Sequence, residues 1–256
     1  MKNAIDFIPR LKAAAIHLLA SVVIATICAT LVFWLWYPWP YRLIAGGQTL
    51  FFIVMSVDLI LGPLLTLVVF NRKKTRSHLV RDLAVIVALQ LGGLSYGLHT
   101  VYLARPVGLI FEVDRFRVVT HVDVVHEELP QALPELRTLS LTGPQLLSTR
   151  AARTSEEKLR SIELALGGVD TGVRPIFWQP YNLATKDVLQ RARPLSLMLK
   201  QYPKQVQYIE REAKNSGHTI DTLKFLPIMA REGNWSALID AQTAALVGFV
   251  PLDGFF

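Results

Sequence analysis

An acidic residue in the middle of a long apolar run is the first feature that could do chemistry. Asp58 stands in the stretch Gln48 to Phe70, which carries no other charged residue. A carboxylate in the hydrocarbon core of a bilayer costs about 2.5–3.5 kcal/mol on insertion scales and usually has a partner or a function. Gly62 and Thr66 follow at helical spacing, so the three residues share one face of a helix.

A second apolar stretch, Leu83 to Leu103, supplies candidate contacts for that face. Gln90, Gly93 and Gly97 are interpreted as lining one face of its helix, and the GxxxG pattern of the two glycines lets backbones approach closely. Because the two helices are antiparallel neighbours, Asp58 and Gln90 are expected at similar depth. Asp58 then either hydrogen-bonds Gln90 and locks the bundle, or serves a partner or a proton, and the residues leave both readings open.

Three stretches are long enough to span a bilayer, which takes about 20 apolar residues. They are Ala13 to Tyr37, Gln48 to Phe70 and Leu83 to Leu103. The first ends in Trp, Phe and Tyr rings, which favour the headgroup level, and its length and bulky end argue against a cleaved signal peptide. In the second, Pro63 has no N–H to donate, so we expect a kink beside the polar face.

The basic residues predict the orientation of these spans. Three of the 20 acidic residues and nine of the 27 Lys and Arg residues lie in residues 1–104, which leaves 17 acids and 18 bases for the rest. The N-terminal tail, residues 1–12, and the loop 71–81 are basic, so both are predicted to be cytoplasmic. Residues after the third span then lie on the outer side. Because the positive charge sits beside the spans, nucleic-acid binding is excluded.

The rest of the chain predicts an α+β domain with antiparallel strands over residues 105–256, after a three-helix transmembrane region over residues 13–104. Two strands are expected in Val107 to Val125, with a turn at Asp114-Arg115, and residues 126–153 are interpreted as loop. A capping box at Thr154 to Glu157 begins a helix. Further predicted elements are helices at Lys186–Arg193, Leu195–Tyr202 and Lys204–Ser216, and a meander of strands at Phe225–Arg231, Trp235–Ala241 and Ala245–Val250.

Other candidate sites carry less chemistry. Arg105-Pro106 ends the third helix, and Arg105 is expected to anchor that end at the lipid headgroups. His121, Asp123 and His126 are the best metal candidates, but on a strand His126 faces away from the other two. The adjacent Glu127 and Glu128 cannot form a facing acid pair from one strand. No hydrolase, zinc-protease, P-loop or dinucleotide motif occurs, so we predict no catalytic residue, metal or cofactor.

Several segments together resemble the TfpX/TfpZ family of type IV pilin accessory proteins. They are Asp58-Leu-Ile-Leu-Gly-Pro-Leu-Leu-Thr-Leu-Val-Val-Phe70, Arg81-Asp-Leu-Ala-Val-Ile, Gln90-Leu-Gly-Gly-Leu-Ser-Tyr-Gly97, Ala104-Arg-Pro106, Phe116-Arg-Val-Val119 and Leu226-Pro-Ile-Met-Ala-Arg231. The resemblance covers most of the chain. One departure is Thr243-Ala244, where the family pattern has Thr-Gly in a hairpin, so a different turn is expected there.

The resemblance implies an inner-membrane protein with a periplasmic domain that assists or regulates type IV pilus assembly. It also implies the major pilin as partner, whose apolar N-terminal helix carries a free amine and a nearby glutamate. Asp58, Gly62 and Thr66, packed near Gln90 and its glycines, would then form a groove for that helix. The alternative is a membrane-anchored ligand sensor or a proton-coupled, transport-related protein that uses Asp58. The sequence leaves the oligomeric state open.

Overall fold

The computed structural model describes residues 2–71 and 74–256. It divides into two compact units, residues 1–36 with 47–103 and residues 37–46 with 104–256. Arg72 and Lys73, two bases of the predicted cytoplasmic loop, lie outside the described residues. The helices are α1 (Lys2–Thr30, continued as a π-helix over Leu31–Trp36), α2 (Tyr41–Ile44), α3 (Gly47–Val69), α4 (Arg76–Leu103), α5 (Ser155–Leu166), α6 (Thr185–Arg191), α7 (Leu195–Gln201) and α8 (Val206–Asn215).

Three helices of the first unit, α1, α3 and α4, are long and apolar enough to cross a membrane. The candidate spans are Phe7–Trp36, Gly47–Val69 and Arg76–Leu103, which confirms the three apolar helices expected from the sequence. The helix α1 begins at Lys2, so the predicted N-terminal tail is helical. Most apolar side chains of the three helices are exposed, which is the pattern of helices that are apolar all round.

The second unit is built on one mixed sheet. Its strands are β1 (Pro106–Glu112), β2 (Arg115–Thr120), β3 (Gln145–Thr149), β4 (Trp178–Pro180), β5 (Arg193–Pro194), β6 (Leu223–Met229), β7 (Trp235–Asp240) and β8 (Leu246–Val250). The order is β4-β3-β1-β2-β6-β7-β8, and β5 pairs with β6. The predicted hairpin β1–β2 and the meander β6–β7–β8 are antiparallel, as expected.

Two strand pairs contradict the prediction of antiparallel strands. The pair β1–β3 and the pair β2–β6 are parallel. Parallel neighbours need a long connection, so they join segments that are distant along the chain. The interpretation of residues 126–153 as loop is wrong for the same reason, since they contain β3. β3 has no neighbour along the chain with which it forms a hairpin. Its partner β1 is distant in the sequence, so no local pattern predicts the pairing.

The structure confirms that a helix begins at the predicted capping box, but it shows only one of the two hydrogen bonds of that box. Thr154 Oγ1 accepts a hydrogen bond from Glu157 N at 3.1 Å at the start of α5. The Glu157 carboxylate, which a full capping box would direct to the Thr154 N–H, instead accepts from Arg150 Nη2 at 2.7 Å. In the turn after β7, Ala244 has φ +62°, so an alanine takes the left-handed conformation usual for glycine.

The segment 37–46, which the sequence placed between two spans, groups with the second unit. Tyr37 and Ile44 are fully buried. Glu232 N, after β6, donates to the Ile44 carbonyl at 3.3 Å. Gly46 has φ +73°, and a Cβ there would lie 2.9 Å from Glu232 Oε1. This unit is therefore assembled from two stretches of chain that are separated by two long helices.

Candidate functional site

The polar face predicted on α3 lies toward its helical neighbours. Gly62 and Thr66 are buried, and Asp58 is half-buried. The helix continues through Pro63, which is also partly buried. The missing N–H of Pro63 leaves the Leu59 carbonyl, one turn earlier, without its helical donor. The polar face thus coincides with a weak point in the backbone of α3.

Gln90 of α4 packs directly on this face, at the depth expected from the antiparallel arrangement. Its Nε2 donates to the main-chain carbonyl of Asp58 at 3.2 Å. A Cβ at Gly62 would lie 2.0 Å from Gln90 Nε2, so the glycine makes room for the amide. In one of the two readings that the sequence left open, Gln90 bonded to the Asp58 carboxyl group. The observed bond differs, because the amide contacts the backbone of Asp58.

The Asp58 carboxylate itself is left without a hydrogen bond or an ion pair among the residues that the structure describes. It lines a cavity of about 310 Å³ within the first unit. Apolar side chains form most of the wall, and the polar exceptions are His17, Ser21, Asp58 and Gln90. An ionisable group in such surroundings is costly unless something neutralises it. The cavity therefore offers a carboxylate to an incoming donor or cation.

His17 is the site residue that sequence reasoning missed. It lies on α1, and its Nδ1 is 2.6 Å from Thr66 Oγ1. The signal was present, because His17 and Ser21 are polar residues four apart in a largely apolar run. Together with Gln90, His17 places polar groups of all three long helices at this site.

The two glycines of the GxxxG pattern behave differently. A Cβ at Gly97 would lie 2.2 Å from Val54 Cγ1, so α3 and α4 approach closely at this point. A Cβ at Gly93 would meet nothing within 4 Å. Gly93 is exposed, and Leu94 occupies the buried position instead. The prediction that Gly93 shares the packed face is wrong, since the seam follows Ile86, Gln90, Leu94, Gly97 and Val101.

Arg105 and Pro106, predicted to anchor the membrane exit, are both buried in the second unit. Arg105 is 2 % exposed, and its Nε donates to the Ser140 carbonyl at 3.3 Å. Its guanidinium is therefore directed into folded protein, which differs from the expected headgroup contact. Pro106 begins β1 and pairs with Thr120 of β2.

The histidine motif adopts turns, so the prediction of a strand is wrong here. His121 and Asp123 lie in a 3-10 turn, where Asp123 Oδ2 accepts from Thr120 N at 2.9 Å. The His121 and His126 rings are 4.7 Å apart, and His126 Nε2 is 3.0 Å from the His121 carbonyl. Burial, with Arg105 and His126 nearby, lowers the pKa of His121. In the described ranges, no group of three His, Cys, Asp or Glu residues could hold a metal ion.

The acidic pair beside this motif separates. Glu128 accepts from Arg174 Nη2 at 2.7 Å, while Glu127 is exposed. The most buried acid of the second unit is instead Glu112, whose Oε2 accepts from Gly172 N at 2.7 Å. Burial raises the pKa of Glu112, and Arg117 at 3.7 Å opposes the shift. These contacts stabilise the fold around one end of β1.

The fold and the site define a class of protein: three helices with the length and apolarity of a membrane anchor, a mostly apolar cavity among them that Asp58 lines, and a mixed-sheet domain. The family model for the fimbrial assembly protein FimB matches residues 5–46. Two fimbrial assembly proteins of Dichelobacter nodosus, of serogroups I and E1, are each 34 % identical over 255 residues, which is 99 % of both chains. The protein of serogroups C1 and C2 is 40 % identical over 130 residues, 51 % of this chain and 99 % of the relative.

This chain therefore belongs to the FimB family of fimbrial assembly proteins. No solved structure matches it. The narrower TfpX/TfpZ assignment stays a prediction.

Proposed function

We propose that this protein is a membrane-anchored assembly factor for type IV pili that holds the pilin by its apolar N-terminal helix before assembly. Family membership supports the role in fimbrial assembly, since the full-length relatives are fimbrial assembly proteins. The three long apolar helices support the membrane anchor. The identification of the pilin as the partner goes beyond family membership and rests on the cavity around Asp58.

The anchor lies in the inner membrane with its basic segments in the cytoplasm. Lys2, Arg10, Lys12 and the bases of the loop 71–81 support this orientation. The second unit is then periplasmic. Alkaline phosphatase fused after residue 256 should be active, and phosphatase inserted within residues 74–80 should be inactive. The reverse pattern would overturn the orientation.

The choice of partner rests on one observation. The Asp58 carboxylate lines a cavity and accepts no hydrogen bond from the residues that the structure describes. The lock between α3 and α4 uses the backbone of Asp58, so the carboxylate is available for a ligand. An apolar helix in the bilayer with an amine or a protonated glutamate supplies a donor that lipid cannot. The apolar wall around Asp58 suits the rest of such a helix.

Site-specific photocrosslinking tests this proposal in a strain that assembles pili. A photoreactive residue at Leu59 or Leu91, which line the cavity, should form a pilin adduct. A residue at Val68 is the matched control, because this side chain of α3 is 73 % exposed and does not line the cavity. Equal adducts from all three positions, or no adduct from Leu59 and Leu91, would contradict the groove.

Variants at position 58 separate pilin binding from bundle packing. Asp58→Leu should abolish the Leu59 adduct while the protein still accumulates, since the Gln90 bond to the main chain remains possible. Asp58→Asn preserves size and a hydrogen-bonding group but cannot ionise. Retained adducts with Asp58→Asn would indicate recognition by hydrogen bonding, and lost adducts would indicate recognition of a cation.

A proton-handling role is the second candidate, because His17 and Asp58 are two titratable groups that line one cavity. In that case Asp58→Asn should abolish function while pilin adducts persist at the wild-type level.

We also propose that the role is non-catalytic. The triple substitution of His121, Asp123 and His126 by Ala should leave pilus-dependent motility largely intact. Lost motility at normal protein levels would revive an enzymatic reading.

A further inference from the structure

The sheet of the second unit ends in two very different strands. At one end, β4 has three residues and closes with Pro180, which cannot donate a hydrogen bond. At the other end, β8 runs Leu-Val-Gly-Phe-Val without a charged residue or a proline. Natural proteins usually block an exposed edge with charges, prolines or a cover. In the described part of the chain, β8 pairs only with β7, so its outer edge carries unpaired backbone groups.

A groove of about 530 Å³ runs along this edge. Its floor includes the four consecutive residues Leu246 to Phe249. Successive side chains of a strand point to opposite faces of the sheet, so a surface that four in a row share follows the edge and not a face. This volume is within the range of about 300–1,000 Å³ typical of binding clefts.

Two elements flank the floor. The segment 37–46 contributes Trp39, Pro40 and Leu43, and α8 contributes Tyr208 and Glu212. The Trp39 side chain is 65 % exposed although it is large and apolar. Tyr41 packs its ring against Phe249 with centroids 5.5 Å apart, which fixes the segment beside β8. The edge is thus recessed between aromatic walls.

We propose that this groove binds an extended segment of a partner protein, which adds as a strand to β8. Backbone hydrogen bonds would give the binding energy and the aromatic walls would select the side chains. The floor requires about four uncharged residues, the length of Leu246 to Phe249. Glu212 is the charged residue among the described residues that line the groove, and its ion pair with exposed Arg211 is long, at 3.9 Å. A basic residue next to the four uncharged residues of the partner segment would complement the charge of Glu212.

A second copy of this chain fits less well. β8 itself carries no basic residue that could lie beside Glu212 of another copy. The groove shares no lining residue with the cavity around Asp58, so this proposal can be tested independently of the proposed function.

The test uses the full chain in nanodiscs and a blocked hexapeptide of alternating threonine and valine with one terminal lysine. At about 1 mM, a concentration that reveals weak binding, the peptide should slow amide exchange at least tenfold for those residues of 246–249 whose N–H groups face away from β7. The matched controls are two forms of the same peptide, each N-methylated on the alternate amides that lie along one of its two edges. At least one N-methylated form should give no protection, because it cannot pair along that edge.

Two variants test the walls. Trp39→Ala should weaken peptide binding at least tenfold, and Glu212→Gln should weaken the lysine peptide but not a glutamine version of it. Unchanged exchange in β6 and β7 would show that each variant is folded. Equal protection by every peptide form, or none by any, would overturn the proposal. Two results without peptide would also overturn it. Protection that rises with protein concentration would assign the edge to a second copy. Protection that appears in nanodiscs but not in detergent would assign it to lipid.

Discussion

The side-chain amide of Gln90 donates to the main-chain carbonyl of Asp58 at 3.2 Å, so the contact between α3 and α4 does not use the Asp58 carboxylate. Asp58 therefore has two separate roles, one for its backbone and one for its side chain. The backbone at position 58 holds the helices together, and the side chain at the same position lines the cavity.

The first prediction follows from this separation. Gln90→Leu should destabilise the helical unit by about 0.6 kcal/mol, the average for hydrogen bonds between membrane helices. Asp58→Asn should not lower its stability, because the carbonyl remains. Unfolding of the purified protein in mixed detergent micelles measures both. A loss for Asp58→Asn as large as that for Gln90→Leu would show that the carboxylate is part of the lock.

The two glycines of α4 give a second prediction with an internal control. Gly97→Ala should destabilise the unit by about 1–3 kcal/mol, the usual cost of overpacking, because its Cβ would lie 2.2 Å from Val54 Cγ1. Gly93→Ala should have almost no effect, since its Cβ meets nothing within 4 Å. Val54→Ala should partly rescue Gly97→Ala in the same unfolding assay. Equal effects at both glycines would argue against this helix packing.

A third prediction concerns the discontinuous second unit. Ile44 is fully buried, so Ile44→Ala should destabilise that unit by about 2–5 kcal/mol although Ile44 is some 60 residues from its main part. Amide exchange in β6 should become faster. Ile53→Ala, at a 60 % exposed position, is the control and should leave β6 exchange unchanged. Wild-type protection in Ile44→Ala would mean that residues 104–256 fold without this segment.

The fourth prediction is a pH dependence centred on Glu112. Burial raises the pKa of Glu112 above its ordinary value of 4.5, so the folded state holds this proton more tightly than the unfolded state does. Its contribution to stability is therefore complete below about pH 4.5 and is lost as the pH rises through the folded pKa. Glu112→Gln removes this dependence and keeps an oxygen for the Gly172 N–H. The stability of the variant relative to wild type should rise with pH across this window, and denaturant unfolding between pH 4 and 8 measures it. A parallel pH profile for the two proteins would contradict the assignment.

The sequence by itself determined the elements whose cause is local. The three long helices follow from runs of apolar residues, α5 begins where Thr154 can cap it, and α8 ends where Gly217 provides φ +79°. The hairpin β1–β2 and the meander β6–β7–β8 join neighbours along the chain, so runs rich in β-branched and aromatic residues, separated by short turns, are enough to predict them.

Only the tertiary structure decided what depends on distant residues. Parallel pairing of β1 with β3, and of β2 with β6, joins segments whose sequences carry no sign of each other. Burial of residues 37–46 in the second unit, and the packing of Gly97 in place of Gly93, depend equally on partners elsewhere in the chain. The same holds for His17, which became a site residue only when α1 placed it 2.6 Å from Thr66. Propensity and periodicity act over a few residues, whereas pairing and packing are fixed by contacts that form after the chain has folded back on itself.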